Sequence, residues 1–278
     1  FINSWFSFKN RNKVGINHIT GHIHDIVLGL IGYKTVITIH DLVFIDNVRN
    51  PIKRFYKWLF WFYIPIKLAD KVVCISTKTK NNIEKLISTT KLVVIYNPVD
   101  PKYIYKPKPF NSKKPVILHI GTGWNKNLIN TIKALNEIPC HLRIIGKINN
   151  ETVNLLLENG IEYSNAFKLK DEEIHQEYID CDIVNFSSVY EGFGMPIIEG
   201  QAIGRVVLTS EIEPLIEVGG KAVCFVNPYD IKSIRNGYIK IINDDNFRQN
   251  LIDTGLENVK KFDVKTIAQQ YIDLYKSI

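Results

Sequence analysis

Eight short runs of β-branched and other apolar residues recur along the chain, each ended by polar residues or glycine. They are KTVITIHD (34–41), KVVCIS (71–76), KLVVIYN (91–97), PVILHIG (115–121), HLRIIG (141–146), CDIVNFS (181–187), RVVLTS (205–210) and AVCFVNP (222–228). Continuous apolar strands are typical of parallel sheets that are buried on both faces. Helical segments lie between them, for example 126–137, 171–180, 196–203 and 230–243. This alternation predicts an α/β protein with doubly wound sheets.

The segment NPVDPKYIYKPKPFNSKKP (97–115) interrupts this alternation with five prolines among lysines, as an interdomain linker would. We predict an N-terminal domain over 1–107 and a C-terminal domain over 108–261, with a C-terminal helix, 262–278, that can join the first domain. The N-terminal part is short, and Met195 is the only methionine. We therefore expect a truncated N-terminal domain.

Composition narrows the class of protein. With 45% hydrophobic and 23% charged residues, the chain is balanced like a soluble globular protein. The longest nearly charge-free apolar run, 58–66, is too short to span a bilayer. Four cysteines without a C-x-x-C pair predict buried thiols in a reducing compartment, the cytoplasm. The net charge of +7 suits an anionic partner such as phosphate, acidic lipid or nucleic acid.

The stretch SSVYEGFGMPIIEGQA (187–202) places Glu191 and Glu199 around a Gly-Phe-Gly turn that follows a strand. Pro196 suits the first turn of a helix, and the free amides of a helix start favour an anion. Two carboxylates that flank a phosphate cradle suit the layout of a nucleotide-sugar, which is ribose, diphosphate and hexose. For either glutamate alone, an acidic residue placed to suit the helix dipole is the alternative.

The longer string SSVYEGFGMPIIEGQAIGRVVLTS resembles the E-x7-E signature of retaining glycosyltransferases with the GT-B architecture, glycosyltransferase family 4. The resemblance covers most of 17–275 in the same order. It includes HIGTGWNKNLINTIKAL (119–135), LKDEEIHQEYIDCDIVNFSS (169–188), EVGGKAVCFVNPYD (217–230), TIHDLVF (38–44) and LADKVVCISTKTKNNI (68–83).

This resemblance implies two Rossmann-like domains that face a cleft. It also implies retaining transfer of a hexose from a nucleotide-diphosphate sugar to a saccharide or lipid-linked saccharide, in bacterial surface polysaccharide biosynthesis such as lipopolysaccharide, capsule or O-antigen. Glu191 would hold hydroxyls of the donor sugar, and Glu199 would bind the ribose. The residues that would offer backbone to the diphosphate and sugar are Gly192, Phe193, Gly194 and Met195.

The loop GTGWNKN (121–127) follows a strand and opens a helix. In the family it carries a basic pair that neutralises the leaving diphosphate. Lys126 matches the lysine, whereas Asn125 stands where many relatives have arginine, so the clamp is weaker or another cation assists. An exposed lysine at a helix start is the alternative. The loop residues predicted to bind the donor are Gly121, Thr122, Gly123 and Lys126.

His40 and Asp41 end the strand KTVITI. The resemblance implies that a histidine near this point faces the donor sugar across the cleft, and a polar turn after a strand is the alternative. We take His40, Glu191 and Lys126 as the predicted catalytic residues.

We expect no cofactor and no metal, because a fixed cation and a helix dipole can stabilise the leaving diphosphate. The D-x-D of Asp180-Cys181-Asp182 would hold a divalent cation in other glycosyltransferases, but here a structural role is favoured. His18, His22 and His24 lie close together without the form of a standard zinc site.

The stretch RNPIKRFYKWLFWFYIPIKLADK (49–71) mixes five Lys/Arg, before its final lysine, with seven aromatic residues. One interpretation is a helix that packs on the sheet, with its cations reaching past the edge. The other is a patch that contacts anionic membrane at the inner face of the plasma membrane and admits a lipid-linked acceptor. No nucleic-acid-binding motif accompanies it, so we expect no nucleic-acid partner.

Two other functions differ from the expectation of a glycosyltransferase. A catalytically inactive or truncated nucleotide-sugar-binding protein is the alternative, because the short N-terminal part lacks the first strand and glycine loop that relatives use for acceptors. A nicotinamide oxidoreductase is excluded for want of G-x-G-x-x-G after a strand.

Overall fold

The computed structural model describes residues 2–46 and 48–278. The chain forms two compact units. The first unit runs to Asn97 and includes Lys265–Ile278, and the second unit is Pro98–Val264.

The proline-rich segment after Asn97 belongs to the second unit. Tyr103 of this segment is buried, and the N–H of Lys106 donates to the carbonyl of Ile203 at 3.1 Å. The division between the units therefore falls about ten residues before the predicted one at 107.

The first unit contains a parallel sheet of four strands that neighbour one another in chain order. The strands are β1 (Asn17–Ile19), β2 (Thr35–Ile39), β3 (Lys71–Cys74) and β4 (Leu92–Val94). All five residues of β2 are buried, as expected for a parallel strand that is covered on both faces.

The second unit contains a parallel sheet of six strands. They are β5 (Val116–Ile120), β6 (His141–Ile145), β7 (Glu162–Ala166), β8 (Ile183–Phe186), β9 (Val206–Ser210) and β10 (Cys224–Val226). Their order across the sheet is β10-β9-β8-β5-β6-β7. The chain leaves the neighbouring strands β5 and β8 in opposite directions. This makes their carboxyl ends the topological switch point, where open α/β sheets bind ligands.

The helices complete both units and alternate with the strands. They are α1 (Ile2–Asn10), α2 (Val43–Asp46), α3 (Pro51–Lys57), α4 (Ile64–Leu68), α5 (Thr77–Glu84), α6 (Leu128–Leu135), α7 (Asn150–Glu158), α8 (Asp171–Asp180), α9 (Met195–Ile203), α10 (Leu215–Gly219), α11 (Ile231–Asn243), α12 (Asp245–Asn258) and α13 (Val264–Lys276). Among the described residues, three 3-10 segments and one π-helical turn lie between them. The 3-10 segments are His24–Leu30, Trp124–Lys126 and Val259–Phe262, and the π-helical turn is Trp58–Tyr63.

The last helix belongs to the first unit from Lys265 onward. Its residues Ile267 and Leu274 are buried together with Val36 of β2 and Val73 of β3. The amphipathic pattern of α13 therefore covers one face of the four-stranded sheet.

Each of the eight apolar runs contains a strand, and each of the four predicted helices is present. The predicted α/β class with parallel sheets is therefore confirmed. β1 and β7 were not predicted. β7 reads EYSNA and lies at the edge of its sheet, where a strand needs no continuous apolar run.

No helix within residues 2–46 and 48–278 combines the length and the apolar character that crossing a membrane requires.

Candidate functional site

Two loops at the switch point of the second unit are tied to each other. One follows β5 and the other follows β8. The N–H of Val189 donates to the carbonyl of Asn125 at 2.8 Å. The side-chain amide of Asn127 donates to the carbonyl of Ser187 at 2.9 Å. These bonds hold the GTGWNKN loop against the loop that carries Glu191.

Lys126 and Glu191 form an ion pair across the two loops. Nζ of Lys126 lies 2.6 Å from Oε1 of Glu191, and the two side chains are 24% and 13% exposed. Nδ2 of Asn125 donates to the same carboxylate oxygen at 3.2 Å and to the carbonyl of Tyr190 at 3.0 Å. Nζ also lies 4.8 Å from the centre of the Phe186 ring. A cation and a carboxylate, both largely withdrawn from water, therefore meet at the carboxyl ends of β5 and β8.

Gly121 allows Lys126 to take this position. Its φ is +90°, and a Cβ at this residue would lie 3.0 Å from Cγ of Lys126. A side chain here would strain the backbone and press on the lysine. The lysine stem can therefore lie against the Gly121 backbone, while the Gly121 N–H donates to the carbonyl of Ile145 at 2.7 Å.

Thr122 and Gly123 shape the same loop. The hydroxyl of Thr122 donates to the carbonyl of Lys147 at 2.8 Å. The carbonyl of Gly123 accepts from the N–H of Lys126 at 2.9 Å, which closes the short 3-10 turn. Both residues also line a cavity of 470 Å³ at the starts of α6 and α7.

A buried polar network lies beneath the ion pair. Nδ2 of Asn185 lies 2.8 Å from Nδ1 of His119 and donates to the hydroxyl of Thr131 at 3.1 Å. That hydroxyl lies 3.0 Å from the hydroxyl of Ser187. Burial, with a smaller effect from the charge of Lys126, lowers the pKa of His119 to about 4. The imidazole is therefore neutral at pH 7, and its Nδ1 accepts from the amide.

The helix after the second loop begins without a side-chain cap. Gly194, at φ +126°, precedes α9, and a Cβ there would lie 2.9 Å from Cδ2 of Leu215. The first turn of α9 carries no acidic residue. Gly192 lies in the loop, Phe193 is buried with its ring 5.8 Å from that of Phe262, and Met195 is the first helical residue. The amides at this start suit an anion.

Glu199 lies in a different environment from Glu191. The hydroxyl of Tyr178 on α8 donates to Oε2 of Glu199 at 2.5 Å. Burial raises the pKa of Glu199, and the Tyr178 hydrogen bond partly opposes that shift. Glu199 lines a cavity of 440 Å³ together with Met195, Lys102 and Asp171. The two predicted glutamates therefore lie in different environments. Glu191 pairs with Lys126, and Glu199 lines a cavity beside α8.

The second aspartate of the D-x-D sequence, Asp182, has a structural role in the fold. Oδ2 of Asp182 accepts from the N–H of Val116 at 2.8 Å, and Oδ1 lies 3.0 Å from Nζ of Lys108. The Asp182 side chain is only 2% exposed. Asp180 is exposed and accepts from Gln176 at 2.9 Å. Within the described residues, no group of three or more His, Cys, Asp or Glu could hold a metal ion.

His40 belongs to the first unit, whereas the other predicted site residues belong to the second. Its Nε2 donates to the carbonyl of Thr20 at 2.7 Å, and its ring lies 5.3 Å from that of His22. His22 lies 6.1 Å from His24. The side chain of Asp41 accepts from the N–H of Val43 at 3.0 Å, as in a polar turn.

His18 takes part in a separate contact within the first unit. Its two ring nitrogens lie 2.6 Å from the hydroxyl of Tyr275 and 2.8 Å from that of Thr38. The histidine therefore links β1 to α13 and β2.

Three residues around the site were not predicted. Tyr178 donates to Glu199, Asn127 ties the two loops together, and His119 belongs to the network beneath the ion pair. Tyr178 lies in α8 and His119 in β5. The sequence around them does not indicate that their side chains contact residues far away along the chain. Asn127 does carry a signal. It adopts φ +62° just before α6, and asparagine is one of the few residues that accept this conformation.

Two family models match the chain. The model described as "Glycosyl transferases group 1" matches residues 102–258. The model described as "Glycosyltransferase Family 4" matches residues 7–103. Together they match residues 7–258, which include parts of both units and the segment between them.

Curated relatives resemble the chain over most of its length. "Uncharacterized glycosyltransferase MJ1178" of Methanocaldococcus jannaschii is 26% identical over 220 residues, which are 76% of this chain and 60% of that protein. "O-antigen chain mannosyltransferase RfbU" of Salmonella typhimurium is 27% identical over 241 residues, which are 82% of this chain and 66% of that protein. The chain thus spans less than two thirds of either relative.

A solved structure shows the same fold. "Sucrose-phosphate synthase" from Thermosynechococcus elongatus superposes with a TM-score of 0.81 at 18% identity, over 98% of this chain and 76% of that chain. This likeness concerns the fold alone. The predicted GT-B class of fold is confirmed.

Proposed function

Because this chain belongs to the family of group 1 glycosyl transferases, we propose that it is a retaining glycosyltransferase. It moves a hexose from a nucleotide-diphosphate sugar to a hydroxyl of a saccharide or lipid-linked saccharide. The observation that carries the proposal is the pairing of Lys126 with Glu191 next to the uncapped start of α9. This arrangement offers a cation and the positive end of a helix dipole to a diphosphate, with a carboxylate beside them for sugar hydroxyls.

Each predicted residue has a chemical task in this proposal. The leaving diphosphate gains charge as the bond to the sugar breaks. Lys126 and the positive end of the α9 dipole stabilise that charge. Glu191 accepts hydrogen bonds from hydroxyls of the hexose, and Glu199 accepts them from the ribose. The family resemblance is the basis on which we also propose a catalytic role for His40 of the first unit.

The acceptor class comes from the relatives. The Salmonella relative is named as an O-antigen chain mannosyltransferase. We propose that this chain likewise extends a bacterial surface polysaccharide in the cytoplasm. Where the saccharide is lipid-linked, the reaction takes place at the inner face of the plasma membrane.

A thermal-shift screen of UDP-, GDP-, ADP- and dTDP-sugars tests the donor site. A specific donor stabilises the folded chain according to its occupancy. The variant Lys126→Met should lose most of that stabilisation, while Lys133→Met, an exposed lysine of α6, should keep it. The absence of any stabilising sugar nucleotide would contradict the proposal. Stabilisation without release of nucleoside diphosphate in the presence of acceptors would instead favour the alternative, a donor-binding chain that does not turn over.

A further inference from the structure

Helix α3 of the first unit exposes apolar side chains that its fold does not use. None of its seven residues is buried. Ile52 is 78% exposed, Phe55 61% and Tyr56 53%. Large apolar groups that are grouped on a surface mark a contact with another molecule or with a membrane.

Aromatic rings continue this surface through the neighbouring π-helical turn. The ring centres of Tyr56 and Phe60 lie 4.6 Å apart, and those of Phe55 and Trp58 lie 5.7 Å apart. The surface that we call the aromatic face consists of two groups of contacting rings. One is Phe44, Tyr56, Phe60 and Trp61, and the other is Phe55, Trp58 and Tyr63. Tryptophan and tyrosine are enriched where hydrocarbon meets water.

The charge on this segment has one sign. Residues 49–68 include no Asp or Glu and carry five cations, Arg49, Lys53, Arg54, Lys57 and Lys67. Nζ of Lys57 lies 3.6 Å from the centre of the Phe44 ring, so cations and rings share the same surface. Long basic side chains can cover apolar area with their stems and direct their charge to anionic groups at its rim.

A cavity of 400 Å³ opens within the aromatic face. Its lining is Ile45, Pro51, Arg54, Phe55, Trp58, Lys85 and Leu86. Apolar walls with two cations suit a hydrocarbon chain whose anionic head group stays outside.

We propose that the aromatic face and its cations dock the chain on an anionic lipid bilayer. The exposed side chains of Ile52, Phe55 and Tyr56 enter the boundary between head groups and acyl chains, and the cations contact lipid phosphates. A second copy of the chain is disfavoured as the occupant, because two faces of the same positive charge repel each other. A bilayer is favoured over nucleic acid because Ile52, the most exposed apolar side chain of α3, has no ring for a base to stack on but can enter hydrocarbon.

Sedimentation with vesicles tests this surface. The 278-residue chain is mixed with vesicles of equal parts phosphatidylglycerol and phosphatidylcholine, and with vesicles of phosphatidylcholine alone. We expect binding to the anionic vesicles and its loss at high salt. Three neutralising changes on α3, Lys53→Gln, Arg54→Gln and Lys57→Gln together, should weaken binding on the order of 100-fold, or about 5-fold per charge. The matched control, Lys133→Gln, Lys232→Gln and Lys276→Gln together, removes equal charge from exposed positions on other helices and should bind as before.

A second variant tests how much the apolar side chains contribute to vesicle binding. Ile52→Ser with Phe55→Ser should weaken binding to anionic vesicles at least 10-fold, whereas Tyr229→Ser, an exposed ring on the second unit, should not. Unchanged vesicle binding in the α3 variants would overturn the proposal. So would tighter binding of single-stranded oligonucleotide than of vesicles, or a dimer in sedimentation equilibrium that Phe55→Ser dissociates. None of these variants touches Lys126, Glu191 or Glu199, so donor binding in the absence of vesicles tests the proposed function separately.

Discussion

The ammonium of Lys126 and the carboxylate of Glu191 lie 2.6 Å apart, between the loops that follow β5 and β8. Each group is thereby held in place and neutralised by the other. If a diphosphate binds at the lysine, it competes with this carboxylate, and Glu191 becomes available to the sugar hydroxyls. The pair thus couples the two halves of the proposed donor site.

The variant Glu191→Gln tests the sugar half of the proposed donor site separately from the diphosphate half. The amide removes the charged acceptor for hydroxyls but leaves Lys126 unpaired. We expect the affinity for the sugar nucleotide to fall by about 10-fold, while the affinity for the bare nucleoside diphosphate stays the same or increases. Titration calorimetry with both ligands measures this difference. Equal losses for both ligands would count against the assignment of Glu191 to the sugar.

Glu199→Ala should weaken nucleotide binding, because a ribose hydroxyl loses a charged acceptor. The expected loss is about 10- to 100-fold for both the sugar nucleotide and the bare nucleotide. Glu217→Ala, on α10, serves as a control. Calorimetry that finds unchanged nucleotide affinity in Glu199→Ala would remove Glu199 from the site.

Tyr178→Phe should shift the pH dependence of nucleotide binding. Burial raises the pKa of Glu199, and the hydroxyl of Tyr178 lowers it again through its hydrogen bond. Only the ionised carboxylate accepts from both ribose hydroxyls, so affinity falls as the pH drops through this pKa. Removal of the hydroxyl takes away the larger of the two effects that oppose burial, and the midpoint of this fall should move to higher pH.

Tyr238→Phe is the matched control for this experiment, because Tyr238 is equally buried but lies in the core among other helices. The nucleotide affinity of both variants is measured from acid to neutral pH, and the midpoints of the two curves are compared. A midpoint that moves alike in both, or in neither, would show that Tyr178 does not position Glu199.

Asp182→Ala should destabilise the second unit rather than remove a metal. It leaves the N–H of Val116 and the ammonium of Lys108 without their shared carboxylate, which costs about 3 kcal/mol of unfolding free energy. Asp180→Ala, at an exposed position, should cost less than about 0.5 kcal/mol. Urea denaturation measures both, and activity should survive excess chelator. A stable but inactive Asp182→Ala variant, together with inhibition by EDTA, would instead support a metal site at the D-x-D sequence.

The fold was predictable wherever the pattern was local. β2 and β9 lie in continuous apolar runs, so their composition predicts burial on both faces. β7 was missed, because a strand at a sheet edge keeps water on one side and tolerates polar residues. The division at Asn97 was missed by about ten residues, because proline content marks irregular chain but not the unit on which it packs.

The site was predictable only in part, for a related reason. The spacing of Glu191 and Glu199 is visible along the chain, but their partners are not. Lys126 and Glu191 are separated by 65 residues, and Tyr178 and Glu199 by 21. Such pairs depend on the order of strands in the sheet, and the apolar pattern of each strand does not encode that order.

The outermost strand β7 has a consequence for how the chain behaves when concentrated. Its open edge carries no apolar ladder, and Glu162 at its start is engaged by Lys114 and His141. A neighbouring molecule that tried to extend the sheet there would have to strip water from charged and amide groups, for little gain. The rim of this unit is thus built to resist polymerisation through strand addition.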